Sequence, residues 1–234
     1  MDGLEYKSAA NWAQKNISDY TLPFNKEYDI PPSFKTLRQP NWRDVIGKTL
    51  GCSTSTALAY AQGDKKVAET LQGGKFGTPR FHQLEYFKKG NKYASLIKPE
   101  DYKKADRGDL LFLQNPKSKE PGSGHAAILA TNTREKSEGR FTVNAYSTNA
   151  GNSNDPNHEN TFGEVIYLFD KNEEGKTQLM GKWWFDSDNK VFRYKDMKEE
   201  NLILQGFGRV DEDKVKSDAA KKTENDKKAK PNSL

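Results

Sequence analysis

The sequence predicts an α+β fold in which N-terminal helices pack on an antiparallel β-sheet. Apolar residues before about position 106 fall in short runs at helical spacing, interrupted by proline and glycine. From position 107 onward they fall in short runs separated by loops rich in Gly, Asn, Asp and Ser, which reads as strands joined by turns. Helices first and strands afterwards is the order of α+β rather than of alternating α/β architecture. With 234 residues, 11% of them aromatic, the chain has material for a real core despite 30% charged residues.

Residues 4–15 can form a helix with Leu4, Ala9, Trp12 and Ala13 on its inner side, so Trp12 reads as core. Pro23, Pro31, Pro32 and Pro40 then exclude helix and favour an extended segment wrapping the surface. Residues 41–46 suit a short helix capped by Asn41. Residues 50–62, LGCSTSTALAYAQ, read as a helix that starts at or just after Cys52. A turn at 63–66, a short helix at 67–71 and a glycine loop at 73–77 follow, and residues 81–87 are helical or extended. The glycines of GGKFG lack the Gly-Lys-Ser/Thr ending of a phosphate-binding loop.

Strands are expected at 110–113, 126–131, 141–146, 165–169, 180–185, 190–194 and 202–209. Asp186-Ser187-Asp188-Asn189 resembles part of a calcium loop but has no glycine or distal Glu, and suits a hairpin turn. No metal site and no cofactor is expected. One domain therefore spans 1–210, with its motif-bearing core at 41–150, followed by a Lys-rich solvated tail at 211–234.

Charge narrows the function. The net charge is +5, yet from Lys214 onward there are seven Lys and three acidic residues, leaving 31 basic and 30 acidic residues in the body. A near-neutral body without nucleic-acid-binding motifs argues against a nucleic-acid partner. A single cysteine excludes an intramolecular disulfide. No apolar run approaches the roughly 18 residues of a membrane span, and residues 1–16 lack the basic start and apolar stretch of a secretory signal.

The chemistry-bearing residues come in a definite order. Cys52 opens a helix, where unsatisfied backbone N–H groups and the helix dipole favour thiolate over thiol. His125 stands at the entrance of a later strand, in GSGHAAILAT. Attack on an amide needs a thiolate, a base that carries its proton to the leaving amine, and a polar group that holds the imidazole. Period-two alternation in RFTVNAY puts Thr142, Asn144 and Tyr146 on one face and Phe141, Val143 and Ala145 on the other. Asn144 is the expected orienting residue, with Asn132, Asn149 and His158 as rivals. His82 is a rival base. The backbone N–H of Cys52 or Ser53 supplies part of an oxyanion hole. Trp183, Trp184, Phe185, Phe192 and Tyr194 read either as core or as a platform for sugar rings.

GCSTSTALAYA, RGDLLFL, GHAAILAT and FTVNAYS, in that order, resemble the NlpC-type and CHAP-type papain-fold cysteine hydrolases over residues 51–147. The resemblance implies a papain-like catalytic domain, a triad of Cys52, His125 and Asn144, and no cofactor. It further implies hydrolysis of amide bonds in bacterial peptidoglycan, in the stem peptide, the cross-bridge or the sugar-to-peptide linkage. Thr54 stands where many members have glycine, and Asn144 where many have His. A peptidoglycan substrate implies a secreted or periplasmic site of action, reached after removal of a signal or by toxin or phage delivery. An injected antibacterial enzyme would have an immunity protein that plugs its cleft. The alternatives are a papain-fold protease, deamidase or acyltransferase with another substrate, and a non-catalytic cell-wall or partner-binding module.

Overall fold

Six strands close on one another and place the main core inside the sheet. The computed structural model describes residues 8–16, 52, 56, 59, 60, 64, 66, 67, 70, 80–117, 124–148, 162–186 and 191–228. The strands are β1 (Ala94–Ile97), β2 (Leu110–Gln114), β3 (Gly124–Leu129), β4 (Arg134–Ser137) and β5 (Arg140–Thr148). They continue as β6 (Phe162–Lys171), β7 (Thr177–Asp186), β8 (Val191–Asp196) and β9 (Ile203–Val210). Three α-helices have defined bounds, α1 (Ser8–Asn16), α2 (Arg80–Lys89) and α3 (Glu212–Lys228), and two short 3-10 helices span Pro99–Lys104 and Lys198–Glu200. Cys52, Thr56, Ala59 and Tyr60 are also helical, as are Lys66, Val67 and Thr70.

The sheet runs β1-β9-β2-β3-β5-β6-β7-β8 with β4 beside β5, and every named pairing is antiparallel. A bridge between Gln178 of β7 and Ile203 of β9 joins the ends of β9-β2-β3-β5-β6-β7 into a six-stranded barrel. Leu179 N–H reinforces the seam by donating to Leu202 O at 2.9 Å. One face of the barrel strands fills the interior: Leu111 and Leu113, Ala127 and Leu129, Phe141, Val143 and Ala145, then Tyr167 and Phe169. Tyr102 stacks on Phe141 at 4.0 Å, and Phe141 on Phe169 at 5.1 Å. Each large side chain so buried contributes about 1.5–3 kcal/mol. The opposite face of β2 and β3 carries Leu110, Phe112, Ala126 and Ile128 into a second core with α1, α2 and the helical residues Ala59, Tyr60 and Val67.

The expected α+β class, papain-like with N-terminal helices packed on a sheet, is corrected. The described residues form mostly antiparallel β-structure, a single nine-stranded sheet with few helices. The cause is barrel closure, which gives the strands a core of their own, together with β1 and β4, two short strands without strong apolar alternation. The seven expected strands are all present, and residues 81–87 are helical within α2. The extended segment at 20–40, the helix at 41–46, the glycine loop at 73–77 and the turn after Asp186 lie outside the described residues.

Buried charge pins the turn before β2. Arg209 of β9 donates from Nε to Asp109 Oδ1 at 3.0 Å and from Nη2 to Oδ2 at 2.7 Å, and Asp109 is buried. Arg107 reaches the other way, from Nη1 to Asn11 and from Nη2 to Gln14 at 2.8 Å each, holding α1 against the barrel. Of the tail expected to be solvated from residue 211, Glu212–Lys228 forms α3, whose first turns are docked. Val215 joins the helix-side core, and Asp218 accepts from Lys92 Nζ at 3.1 Å and Tyr93 OH at 3.0 Å. No described helix is long and apolar enough to cross a membrane.

Candidate active site

His125 is the second residue of β3, opposite Leu113 of β2, and shares its strand face with Ala127 and Leu129. Its imidazole therefore belongs to the interior side of the barrel, at the end where β3 begins and β5 ends. Ser147 occupies the same side near the end of β5, continuing the stripe Phe141, Val143, Ala145. Its Oγ lies 2.6 Å from His125 Nε2. Tyr167, from the interior stripe of β6, brings its hydroxyl to 3.0 Å from the same nitrogen and donates to Ser147 Oγ at 3.2 Å. The Tyr167 ring meets the imidazole edge-on, with centroids 6.1 Å apart. Ser147 and Tyr167 are both buried, so the hydroxyls form a closed triangle with Nε2 in a site of low polarity.

Cys52 is linked to this triangle through its charge. Burial pushes the Tyr167 hydroxyl well above the usual tyrosine range; the bond to Ser147 acts in the opposite sense, and negative charge at Cys52 adds to the rise. Cys52 thus lies within electrostatic reach of the hydroxyl that contacts His125. Cys52, Thr56 and Tyr60 are all helical and spaced four apart, the spacing of residues that share a helix face. Thr56 Oγ1 donates to Gln83 Oε1 of α2 at 3.1 Å, both side chains being buried. Tyr60 OH donates to Gly108 O at 3.0 Å, at the turn that Asp109 and Arg209 pin. Burial raises the Tyr60 hydroxyl, with Glu212 and Asp109 adding to the effect, so it remains a donor. The cysteine itself is half-buried and not in a disulfide.

Of the expected triad, His125 sits in this site with Cys52 in electrostatic range of its Tyr167 hydroxyl, and Asn144 does not belong to it. Asn144 lies on the opposite face of β5 from Ser147 and donates from Nδ2 to Glu164 Oε1 at 2.7 Å. The strand faces were read correctly from alternation, but His125 alternates with Ala127 and Leu129, so its partner comes from the apolar stripe. Asn132 accepts from Arg107 N–H at 3.4 Å in an exposed turn. Ser53, Asn149, His158 and the side chain of His82 lie outside what the structure describes. The sequence reasoning missed Ser147 and Tyr167. Their signal was a polar group interrupting two apolar stripes, Phe141-Val143-Ala145-Ser147 and Val165-Tyr167-Phe169.

Among the described residues no group of three or more His, Cys, Asp or Glu is placed to hold a metal ion. The described cavities include a polar one of about 320 Å³ between Asn91–Ser95 and Arg209–Asp213, away from His125. No family model, no curated protein and no solved structure matches the chain.

Proposed function

We propose that the protein is a cysteine hydrolase that cleaves amide bonds in bacterial peptidoglycan through a thioester on Cys52. The observation that carries the reading is the His125 imidazole held at Nε2 by Ser147 and Tyr167, with the sole cysteine in electrostatic range of the Tyr167 hydroxyl. With Nε2 so engaged, proton exchange with the thiol falls to Nδ1. In the tautomer this requires, Nε2–H donates to Ser147 Oγ while Tyr167, held protonated by burial, donates to the same oxygen.

The reaction follows from those roles. His125 Nδ1 takes the Cys52 proton as the thiolate adds to the amide carbon, and the backbone N–H groups at the helix start face the oxyanion. Collapse of the tetrahedral adduct breaks the C–N bond, with His125 returning the proton to the amine. Water then attacks the thioester, giving a carboxylic acid and free Cys52. Ser147 and Tyr167 are positioning residues, which hold the ring through the change from imidazole to imidazolium. Peptidoglycan as substrate rests on the resemblance of the Cys, His and strand motifs to NlpC-type and CHAP-type hydrolases.

The test is mass spectrometry of fragments released from purified peptidoglycan by the wild type and by Cys52→Ala. New muropeptide termini made by the wild type alone name the bond. Absence of release from several peptidoglycan chemistries overturns the substrate. Slow alkylation of Cys52 at neutral pH, unaffected by His125→Ala, overturns the hydrolase.

A further inference from the structure

We propose that the outer face of β4–β8 is a second site, which holds the glycan strand of peptidoglycan while the attached peptide reaches Cys52. The inference deepens the peptidoglycan reading above and rests on it for the identity of the glycan. It starts from register. Asn144 of β5 faces Ile166 of β6, Ile166 faces Trp183 of β7, and Trp183 faces Tyr194 of β8. The row therefore crosses four strands on one face of the sheet, the face turned away from the barrel interior. Arg134 of β4 pairs with Thr142 and adds a cation at one end.

These side chains line a groove of about 570 Å³, with Arg134 and Lys136 on one side, Trp183 and Phe192 on the other, and Ile166 and Asn144 between. Small-ligand sites fall at about 300–1,000 Å³ and combine apolar walls with a few placed polar groups. The aromatic wall is built, not incidental. Trp183 and Tyr194 rings lie 4.8 Å apart, and Tyr194 covers Gly181, where any Cβ would meet its hydroxyl oxygen at 2.5 Å and its ring at 2.6–2.8 Å. Phe192 is 69% exposed and Tyr194 51%, on the sheet's edge strand. Exposed aromatic residues clustered on an edge strand invite unwanted pairing unless a ligand uses them.

Chemistry selects the occupant. The aromatic side chains of Trp183 and Phe192 on the groove wall match the apolar C–H faces of sugar rings. The Asn144 amide and its partner Glu164 offer groups for hydroxyl and N-acetyl amide hydrogen bonds. Arg134 and Lys136 form no salt bridge among the described residues. Their charge complements the carboxylates of a stem peptide. A glycan carrying anionic peptides supplies all three features, whereas a neutral glycan leaves the cations unused. Position supports the coupling: Asn144 and Ser147 are three residues apart on β5, on opposite faces, a rise of about 10 Å. Holding the glycan there would raise the local concentration of its peptide at the barrel end that carries His125.

The experiment measures binding of the non-hydrolysing Cys52→Ala protein to purified sacculi by co-sedimentation, and to soluble glycan-peptide fragments by titration calorimetry. The expected result is a loss of about tenfold or more in affinity when Trp183→Ala is added, and of several-fold for Arg134→Ala with Lys136→Ala, the latter shrinking at high salt. Because Trp183 is partly buried, Phe192→Ala at a position 69% exposed serves as the second variant, with its thermal midpoint measured beside its affinity. Affinity unchanged by Phe192→Ala and by the double cation variant overturns the groove. Groove-dependent binding without release of any peptide by the wild type keeps the glycan site and removes the hydrolase. Release of muropeptides by the wild type with no measurable binding by Cys52→Ala keeps the hydrolase and removes the groove.

Discussion

Ser147 contributes to catalysis through the one nitrogen of His125 that does not face the thiol in the proposed mechanism. A hydrogen bond to an ionised group is worth about 1.5–3 kcal/mol. Ser147→Ala is therefore expected to lower kcat/KM on a soluble stem peptide by about 10- to 100-fold. Tyr167→Phe should cost less, since Ser147 still holds the ring. Asn144→Ala should cost less than either on a substrate lacking sugar, because its amide bonds Glu164 on the other face of β5. Loss of the Ser147 acceptor weakens imidazolium, so thiolate should appear only at higher pH. The rising limb of Cys52 alkylation against pH should move to the alkaline side, with the thermal midpoint little changed. An unmoved limb would make Ser147 purely structural. The helical setting of Cys52 and the strand entered at His125 were legible in the sequence because glycine and helix or strand signals bracket them. The orienting group was not, because alternation tells which residues share a face but not which face a neighbouring strand presents.

At the scale of elements, α2 is seated on β9 by the absence of a side chain. Phe87 packs against Gly208 so closely that a Cβ there would stand 2.6–2.7 Å from its ring carbons. Phe87 is itself buried and its ring lies 5.8 Å from Phe112, so it has nowhere to move. Gly208→Ala is expected to lower stability by about 1–3 kcal/mol, read from chemical denaturation, and a neutral result would show that α2 can shift on the sheet. Asp109 makes a stronger case. Removing its carboxylate strands the Arg209 guanidinium, which is only partly exposed, and breaking such a pair costs about 3–5 kcal/mol. The loss for Asp109→Ala should fall toward the lower end because solvent reaches Arg209, and Asp109→Ala with Arg209→Met should recover part of it. Sequence alone marked the strand at 110–113. It could not show the clamp, since Arg209 lies 100 residues away and only the β2–β9 pairing brings it there.

Across the whole molecule, the first and last described helices are joined by a single carboxylate. Glu212, at the start of α3, accepts from Ser8 N–H at 3.0 and 3.1 Å and from Ser8 Oγ at 3.0 Å, capping the start of α1 from 204 residues away. Burial pushes the Glu212 carboxyl from 4.5 up to about 7, against the opposing pull of the Ser8 bonds and Lys216, with Asp64 adding to the rise. This long-range closure, like the β7–β9 seam, leaves no local pattern in the sequence, whereas the strands it surrounds announce themselves by alternation. A carboxyl raised in the folded state binds its proton more tightly there than in the unfolded chain. Its contribution to stability is complete below pH 4.5 and is lost as the pH rises through about 7. That interval corresponds to at most about 3 kcal/mol. Glu212→Gln mimics the protonated acid and accepts the same Ser8 donors without titrating. The difference in thermal midpoint between the variant and the wild type should therefore rise from pH 5 to pH 8 in favour of Gln. A difference independent of pH would mean that the helices' junction opens enough for water to solvate the carboxylate. Glu212 would then act as an ordinary helix cap with no pH-dependent hold on the two ends of the fold.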